Sequence, residues 1–205
     1  ELARAAGLDV LEIVFVDVDR AIADEERDPE IAEPLERSAG QNLGLDYLPG
    51  SVTFDPAAKP PVAALVTSKV VLFDAFVANV DRTARNPNLL SWHGRLWLID
   101  HGASLYFHHG WDASTALIGA DDPFAEVKDH VLLGRASALR EAEIELRRAL
   151  TPEAFERATR DIPEAWLDDA FPDAGAHRAA YAGWLVARLG NLSAIVEEAE
   201  RARGV

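Results

Sequence analysis

Asp81, Asn86 and Asp100 are of types and at spacings that suit one kind of chemistry. A carboxylate such as Asp81 can accept a proton from an attacking hydroxyl. Asn86 and Asp100 offer hard oxygen atoms, the ligands that magnesium takes. A carboxylate base, then an amide ligand, then a second carboxylate past a hairpin is a layout for moving a phosphoryl group carried on magnesium. The pair Asp81 and Asn86 alone would equally suit the capping of a turn. Asp100-His101-Gly102, directly after an apolar strand, favours the chemical reading.

Several elements must position these residues. Val62 to Val80 is the clearest helix: Val62, Leu65, Val66, Phe73, Phe76, Val77 and Val80 recur at helical spacing, widened by Val70 and Leu72. A helix apolar nearly all round is buried, and this one delivers Asp81. Pro87 forbids its continuation. Leu89 to Trp92 and Arg95 to Ile99 flank His93-Gly94 and read as a hairpin, which sets Asn86 and Asp100 at adjacent ends of one small sheet. Upstream, Leu2 to Gly7 reads as the tail of a helix, Leu11 to Val18 and Gly40 to Leu48 as strands, and Asp19 to Ser38 as a loop with at most a short helix, because Pro29 and Pro34 interrupt it. Pro56 to Pro61 is a connector. Downstream, helices are expected over Phe124 to Leu133, Ala136 to Leu150, Pro152 to Arg160, and Gly175 to Arg203, the last broken or kinked at Gly190.

Other side chains are less specific. Arg82 and Arg85 either hold phosphate or pair with local carboxylates. Asn88 is a spare ligand or part of an Asn-Pro-Asn turn. Trp92 and Trp97 pack the hairpin. His108 and His109 are adjacent, so their side chains diverge, and no cysteine is present to complete a zinc site. No Ser-His-Asp ordering or Gly-x-Ser-x-Gly suggests a serine hydrolase.

Composition bounds the rest. The chain has 205 residues, 49% hydrophobic, which suffices for one large domain or two small lobes. The net charge of −15 argues against a broad nucleic-acid footprint. Asp17 to Glu36 alone holds nine acids and two arginines, a solvated surface. No run of 18 apolar residues indicates a membrane span, and no signal peptide is visible. The expected location is cytoplasmic. With no cysteine, disulfides and thiol catalysis are excluded. A chain beginning at Glu1 and lacking methionine reads as part of a longer one.

Asp81-Arg82-Thr83-Ala84-Arg85-Asn86, followed by Ile99-Asp100-His101-Gly102, resembles the HipA-like kinases. The spacing from Asp81 to Asn86 also resembles the catalytic loop of phosphoinositide kinases, where a later Ile-Asp-Phe-Gly holds the metal. The longer run NVDRTARNPNLL to WHGRLWLIDHGASLYFHH is most similar to a bacterial branch of HipA-like families. The resemblance extends from Glu1 to about Arg203 and is sharp between Gly40 and His109.

The resemblance implies an α+β, protein-kinase-like fold: residues 1–50 as a partial N-terminal lobe and hinge, and 51–205 as a mainly helical C-terminal lobe. It implies Mg-ATP bound between lobes, with the adenine against Asp46, Tyr47, Leu48 and Pro49. Tyr47 to Gly50 as a mere link between elements is the alternative. Asp81 would orient or deprotonate the acceptor hydroxyl, and Asn86 and Asp100 would hold magnesium. His101 would stand where ordinary kinases have phenylalanine. The implied partners are a nucleotide and a protein bearing serine or threonine, with no nucleic acid and no membrane. Kinases also need a Gly-rich loop and a lysine from an early strand, whereas the lysines here are Lys59, Lys69 and Lys128. Those first strands are therefore expected upstream of Glu1. Two rival readings stay open, a kinase-like binding module without turnover and a metal-dependent phosphohydrolase using the same residues.

Overall fold

The computed structural model describes residues 1–57 and 62–204, so Lys59 and most of the expected connector lie outside the described residues. In chain order the elements are α1 (Leu2–Ala5), β1 (Asp9–Val10), β2 (Ile13–Val18), α2 (Ala21–Glu25), α3 (Pro29–Arg37), β3 (Gly40–Leu45) and β4 (Val52–Thr53). They continue as α4 (Ala64–Phe76), β5 (Leu89–Trp92), β6 (Arg95–Leu98), α5 (Leu139–Ala149), α6 (Pro152–Arg160), α7 (Ala174–Gly190) and α8 (Leu192–Arg203). Short 3₁₀ turns lie at Tyr106–Gly110, Ala125–Asp129, Leu133–Arg135 and Glu164–Trp166. This is a mixed α+β chain with small sheets. None of its described helices is long and apolar enough to cross a membrane.

The chain divides into two compact units, Leu11–Gly50 and Glu1–Val10 with Ser51–Val205. In the smaller unit β2 and β3 pair antiparallel from Ile13↔Leu45 to Val18↔Gly40. The connection between them differs from the sequence expectation: it carries two helices rather than a loop with one at most. Asp28 caps α3 by accepting from the Glu30 N–H at 3.0 Å, and Pro29 sits in its first turn, where a missing N–H costs nothing. Pro34 lies inside α3 and leaves Glu30 O without its helical donor, but both residues are exposed, so that carbonyl is open to solvent and the lost bond costs little.

In the larger unit the sheet order is β1-β6-β5-β4, with β1 parallel to β6 and the other pairs antiparallel. β1 and β4 are two residues each, too short for any periodicity to announce them. The β5–β6 hairpin matches the expected one. His93 and Gly94 have φ 47° and 75°, the positive pair that a two-residue type I′ turn requires.

Helix α4 is the centre of this unit. From Thr67 to Phe76 all but Lys69 are buried, and Val70, Leu72, Phe73 and Phe76 join Leu89, Leu96 and Leu98 of the hairpin in one core with Leu132, Leu146, Phe155 and Ile195. Phe76 stacks on Phe155 with ring centroids 5.9 Å apart. The helix ends four residues short of the expected Val80. Ala78 turns left-handed at φ 51°, its N–H bonds Ala75 O, and the Asn79 N–H bonds Asp74 O at 2.8 Å. That double bond is a Schellman closure, with alanine in the place glycine usually takes. The buried Arg188 of α7 then caps the helix, donating to Ala75 O at 2.8 Å and Phe76 O at 3.2 Å. Burial holds the Arg188 guanidinium down at about 10, against the pull of Asp122 and Asp121.

The helix expected over Phe124 to Leu133 is instead two 3₁₀ turns. Phe124 is left-handed at φ 64°, and the chain extends at His130, where Thr83 and His130 form an antiparallel bridge. Tertiary pairing has overridden local helical preference there. The long C-terminal helix is likewise two, parted at Asn191 directly after Gly190.

Candidate active site

The loop after α4 folds on itself. Thr83 N–H donates to Asp81 O at 3.0 Å and to Asn86 O at 3.1 Å, and Asn86 N–H donates to Thr83 Oγ1 at 3.3 Å. Within this turn Asn86 Nδ2 donates to Asp81 Oδ2 at 2.7 Å, and Asn88 Nδ2 reaches the same oxygen at 3.3 Å. Asp81 is half-buried and Asn86 exposed. The amide pairing and the turn-capping reading thus coexist in one loop.

Asp100 is brought to the same region by the hairpin. The register Leu89↔Leu98 is extended one step by Ile99 N–H donating to Asn88 O at 3.0 Å. Asn86 stands two residues before that link and Asp100 one residue after it. Asp100 is exposed, and its Oδ1 accepts from the Gly102 N–H at 3.2 Å. Asn88 and Asp100 are both left-handed, at φ 48° and 47°. Asn and Asp tolerate that region better than other residues, and such outliers gather at functional sites.

Below the loop lies a buried polar network. Asp74, fully buried on α4, accepts from Arg82 Nε and Nη2, from Asn79 Nδ2 at 2.9 Å and from His130 Nε2 at 3.0 Å. Leu132 N–H donates to His130 Nδ1 at 3.1 Å, so that nitrogen carries no proton and Nε2 is the donor towards Asp74. Burial pushes the Asp74 carboxyl up, but the Arg82 charge and the His130 hydrogen bond outweigh it and hold it at about 2, below the ordinary 3.8. Arg82 Nη1 also donates to Asn88 O, and to Ile99 O at 3.2 Å. Asn79 Oδ1 accepts from the Asp81 N–H at 3.2 Å.

This settles one choice left open by the sequence. Arg82 pairs with a carboxylate and, at 1% exposure, has no surface to offer a phosphate, whereas Arg85 is exposed. His101 lies edge-on to Phe73 with centroids 6.5 Å apart, its Nε2 buried without a hydrogen-bond partner among the described residues. Burial, then the nearby Arg82 charge, holds its ring below the usual imidazole range. Trp92 and Trp97 pack edge-to-face at 5.5 Å in the hairpin.

A family model described as HipA-like kinase matches residues 1–179. The chain belongs to the HipA-like kinase family. No curated protein and no solved structure matches it. Family membership points to kinase activity, and the donor set of this HipA-like kinase chain can be weighed against the metal such enzymes use.

Among the described residues no three His, Cys, Asp or Glu side chains gather into a metal site. Magnesium does not require such a cage, because it binds through one or two carboxylates and completes its shell with phosphate oxygens and water. Asn86, with Nδ2 engaged by Asp81, keeps Oδ1 as its remaining ligand atom, and Asp100 keeps Oδ2. These are hard oxygens, and they fit.

The four residues expected against adenine lie in the smaller unit. Asp46 N–H donates to Glu12 O at 3.0 Å and Tyr47 N–H to Asp46 Oδ1 at 2.8 Å. Tyr47 is 78% exposed and Leu48 is buried. The residues that sequence reasoning missed are Asp74, Asn79 and His130. A carboxylate in the apolar run around Asp74 was the available signal, since a buried charge needs a partner.

Proposed function

We propose that this chain is an ATP-dependent phosphotransferase whose acceptor is a serine or threonine hydroxyl of a protein. The observation that carries the reading is the Asn86 Nδ2 to Asp81 Oδ2 hydrogen bond of 2.7 Å. It joins the two loop residues that the reaction needs and turns the amide so that its oxygen remains for a cation.

Asn86 and Asp100 would hold magnesium, which when bound neutralises charge on the phosphates. Asp81 accepts the hydrogen of the acceptor hydroxyl. That oxygen bonds to the γ-phosphorus while the bond from phosphorus to the β–γ bridging oxygen breaks, releasing ADP. The proton then leaves Asp81 for solvent. The work of the loop is positioning and electrostatics rather than covalent chemistry. In this reading the base edge of adenine meets the main chain of Asp46, Tyr47, Leu48 and Pro49. The Asp46 and Tyr47 N–H groups are engaged within the unit, so other main-chain groups of the segment would bind it.

The test supplies ATP labelled on its γ-phosphate, Mg²⁺ and a library of serine and threonine peptides. Label on peptides that disappears with Asp81→Asn supports the reading. One observation favours a second reading, a binding module without turnover: Asp81 Oδ2 is taken by two amides. Nucleotide binding without transfer to any peptide, or to the chain itself, would decide for that second reading.

A further inference from the structure

We infer that Arg82 is a positioning residue for the metal ligands, and that the affinity of the Asn86–Asp100 pair for a divalent cation is set from the buried side of the loop. The inference rests on the metal reading proposed above.

Asn86 and Asp100 are exposed and lie on different strands of chain. Their relative placement must come from something rigid beneath them. One hydrogen bond of the ladder, Ile99 N–H to Asn88 O, ties the two segments directly. Arg82 adds the second tie. Its Nη1 donates to Asn88 O and to Ile99 O, so a single nitrogen bridges the main chain beside each ligand. The guanidinium cannot drift, because Nε and Nη2 are held by the two oxygens of Asp74. Asp74 in turn is held by Asn79 and His130. The main chain at Arg82 is fixed as well, its oxygen accepting from the Val131 N–H at 3.0 Å. A planar fork with donors in three directions does this, and a lysine ammonium on a flexible stem does not reproduce it.

The left-handed backbone at Asn88 and Asp100 adds a second argument. A non-glycine residue stays in that region only where its surroundings over-determine it. The two strained residues are the ones immediately flanking the carbonyl pair that Arg82 holds, Asn88 itself and the neighbour of Ile99. Removing the clamp lets both relax, and the ligand oxygens separate while the helical core stays packed.

Manganese(II) alone is the probe, because it takes the same hard oxygen ligands and its binding is read by electron paramagnetic resonance without any turnover. The chain, Asp100→Asn and Arg82→Lys are titrated, and thermal unfolding is recorded for each. Supporting residues around a metal site typically change affinity about 10–100-fold, and Arg82→Lys is expected to weaken Mn²⁺ by about 10-fold while retaining a cooperative unfolding transition. A folded Arg82→Lys that binds Mn²⁺ as tightly as the unmodified chain, while Asp100→Asn weakens it, overturns the inference and leaves the metal reading standing. Failure of the unmodified chain to bind Mn²⁺, or an unchanged affinity in Asp100→Asn, overturns both. If Arg82→Lys does not fold, His130→Ala takes its place, since it removes one donor from Asp74 and leaves both charges. A weakening of about 10-fold in folded His130→Ala supports the clamp, and an unchanged affinity overturns it.

Discussion

Arg82 donates to both oxygens of the Asp74 carboxylate, and neither side chain is reached by water. Such a pair adds little net stability over an apolar substitute, because desolvation offsets the attraction, but removing one partner strands the other charge. Asp74→Ala is therefore expected to cost about 3–5 kcal/mol and to lower the melting temperature on the order of 10 °C. Scanning calorimetry checks this, and an unchanged melting temperature would show that Arg82 finds another partner.

The same carboxylate predicts an acid limb. Its folded value of about 2 lies below the ordinary 3.8, so the folded state binds fewer protons than the unfolded state between those values. The stability it contributes is fully present above about pH 4 and lost as pH falls towards 2, roughly 2 kcal/mol in all. Urea unfolding at pH 5, 4, 3 and 2 reads the slope. Asp74→Asn should flatten it in that window, and an identical slope in the variant would contradict the assignment.

Gly94 supplies a control at the opposite end of the hairpin from Asn88 and Asp100. Its φ of 75° disfavours a side chain, yet a Cβ there would meet nothing within 4 Å. The cost of Gly94→Ala is thus backbone strain alone, about 1 kcal/mol. Chemical denaturation should show that loss with Mg-ATP affinity unaltered. A change in affinity would mean that the turn and the ligand end are coupled.

Much of this was legible in the sequence, and the boundary has physical reasons. The β5–β6 hairpin could be read to within one residue, its second strand ending at Leu98 rather than Ile99, because His93-Gly94 between apolar runs is a local signal. Thr151 and Pro152 announced α6 in the same way, the Thr151 side chain capping the Ala154 N–H. The end of α4 was misplaced because Ala78 is left-handed without being glycine, for reasons that lie in tertiary contacts such as Arg188 on Phe76 O. The buried network escaped because His130 is 56 residues from Asp74 and no periodicity links them. Helix α3 was underestimated because Pro34 was weighed as a breaker, and an exposed helix can hydrate the carbonyl it orphans.

The lysines bear on nucleotide affinity. Lys69 lies on α4 and pairs with Glu145 at 3.1 Å, and Lys128 lies in a 3₁₀ turn. Neither stands on an early strand, where a kinase places the lysine that cradles its phosphates. These 205 residues are expected to bind Mg-ATP with a dissociation constant of about 10 µM or weaker. Calorimetry giving a submicromolar value would place an effective phosphate cradle inside this chain.

The division of labour between the two aspartates is the centre of the account. Asp100→Asn removes a ligand charge from a hard cation and should weaken Mg-nucleotide binding about 10-fold or more. Asp81→Asn touches the acceptor hydroxyl and little of the bound ground state, so it should leave that binding nearly intact while lowering turnover about 10²–10⁴-fold. Calorimetric titration of Mg-ATP into the unmodified chain and the two variants is the direct measurement. The account predicts weakened binding in Asp100→Asn and unchanged binding in Asp81→Asn. Binding lost in Asp81→Asn and retained in Asp100→Asn would contradict it.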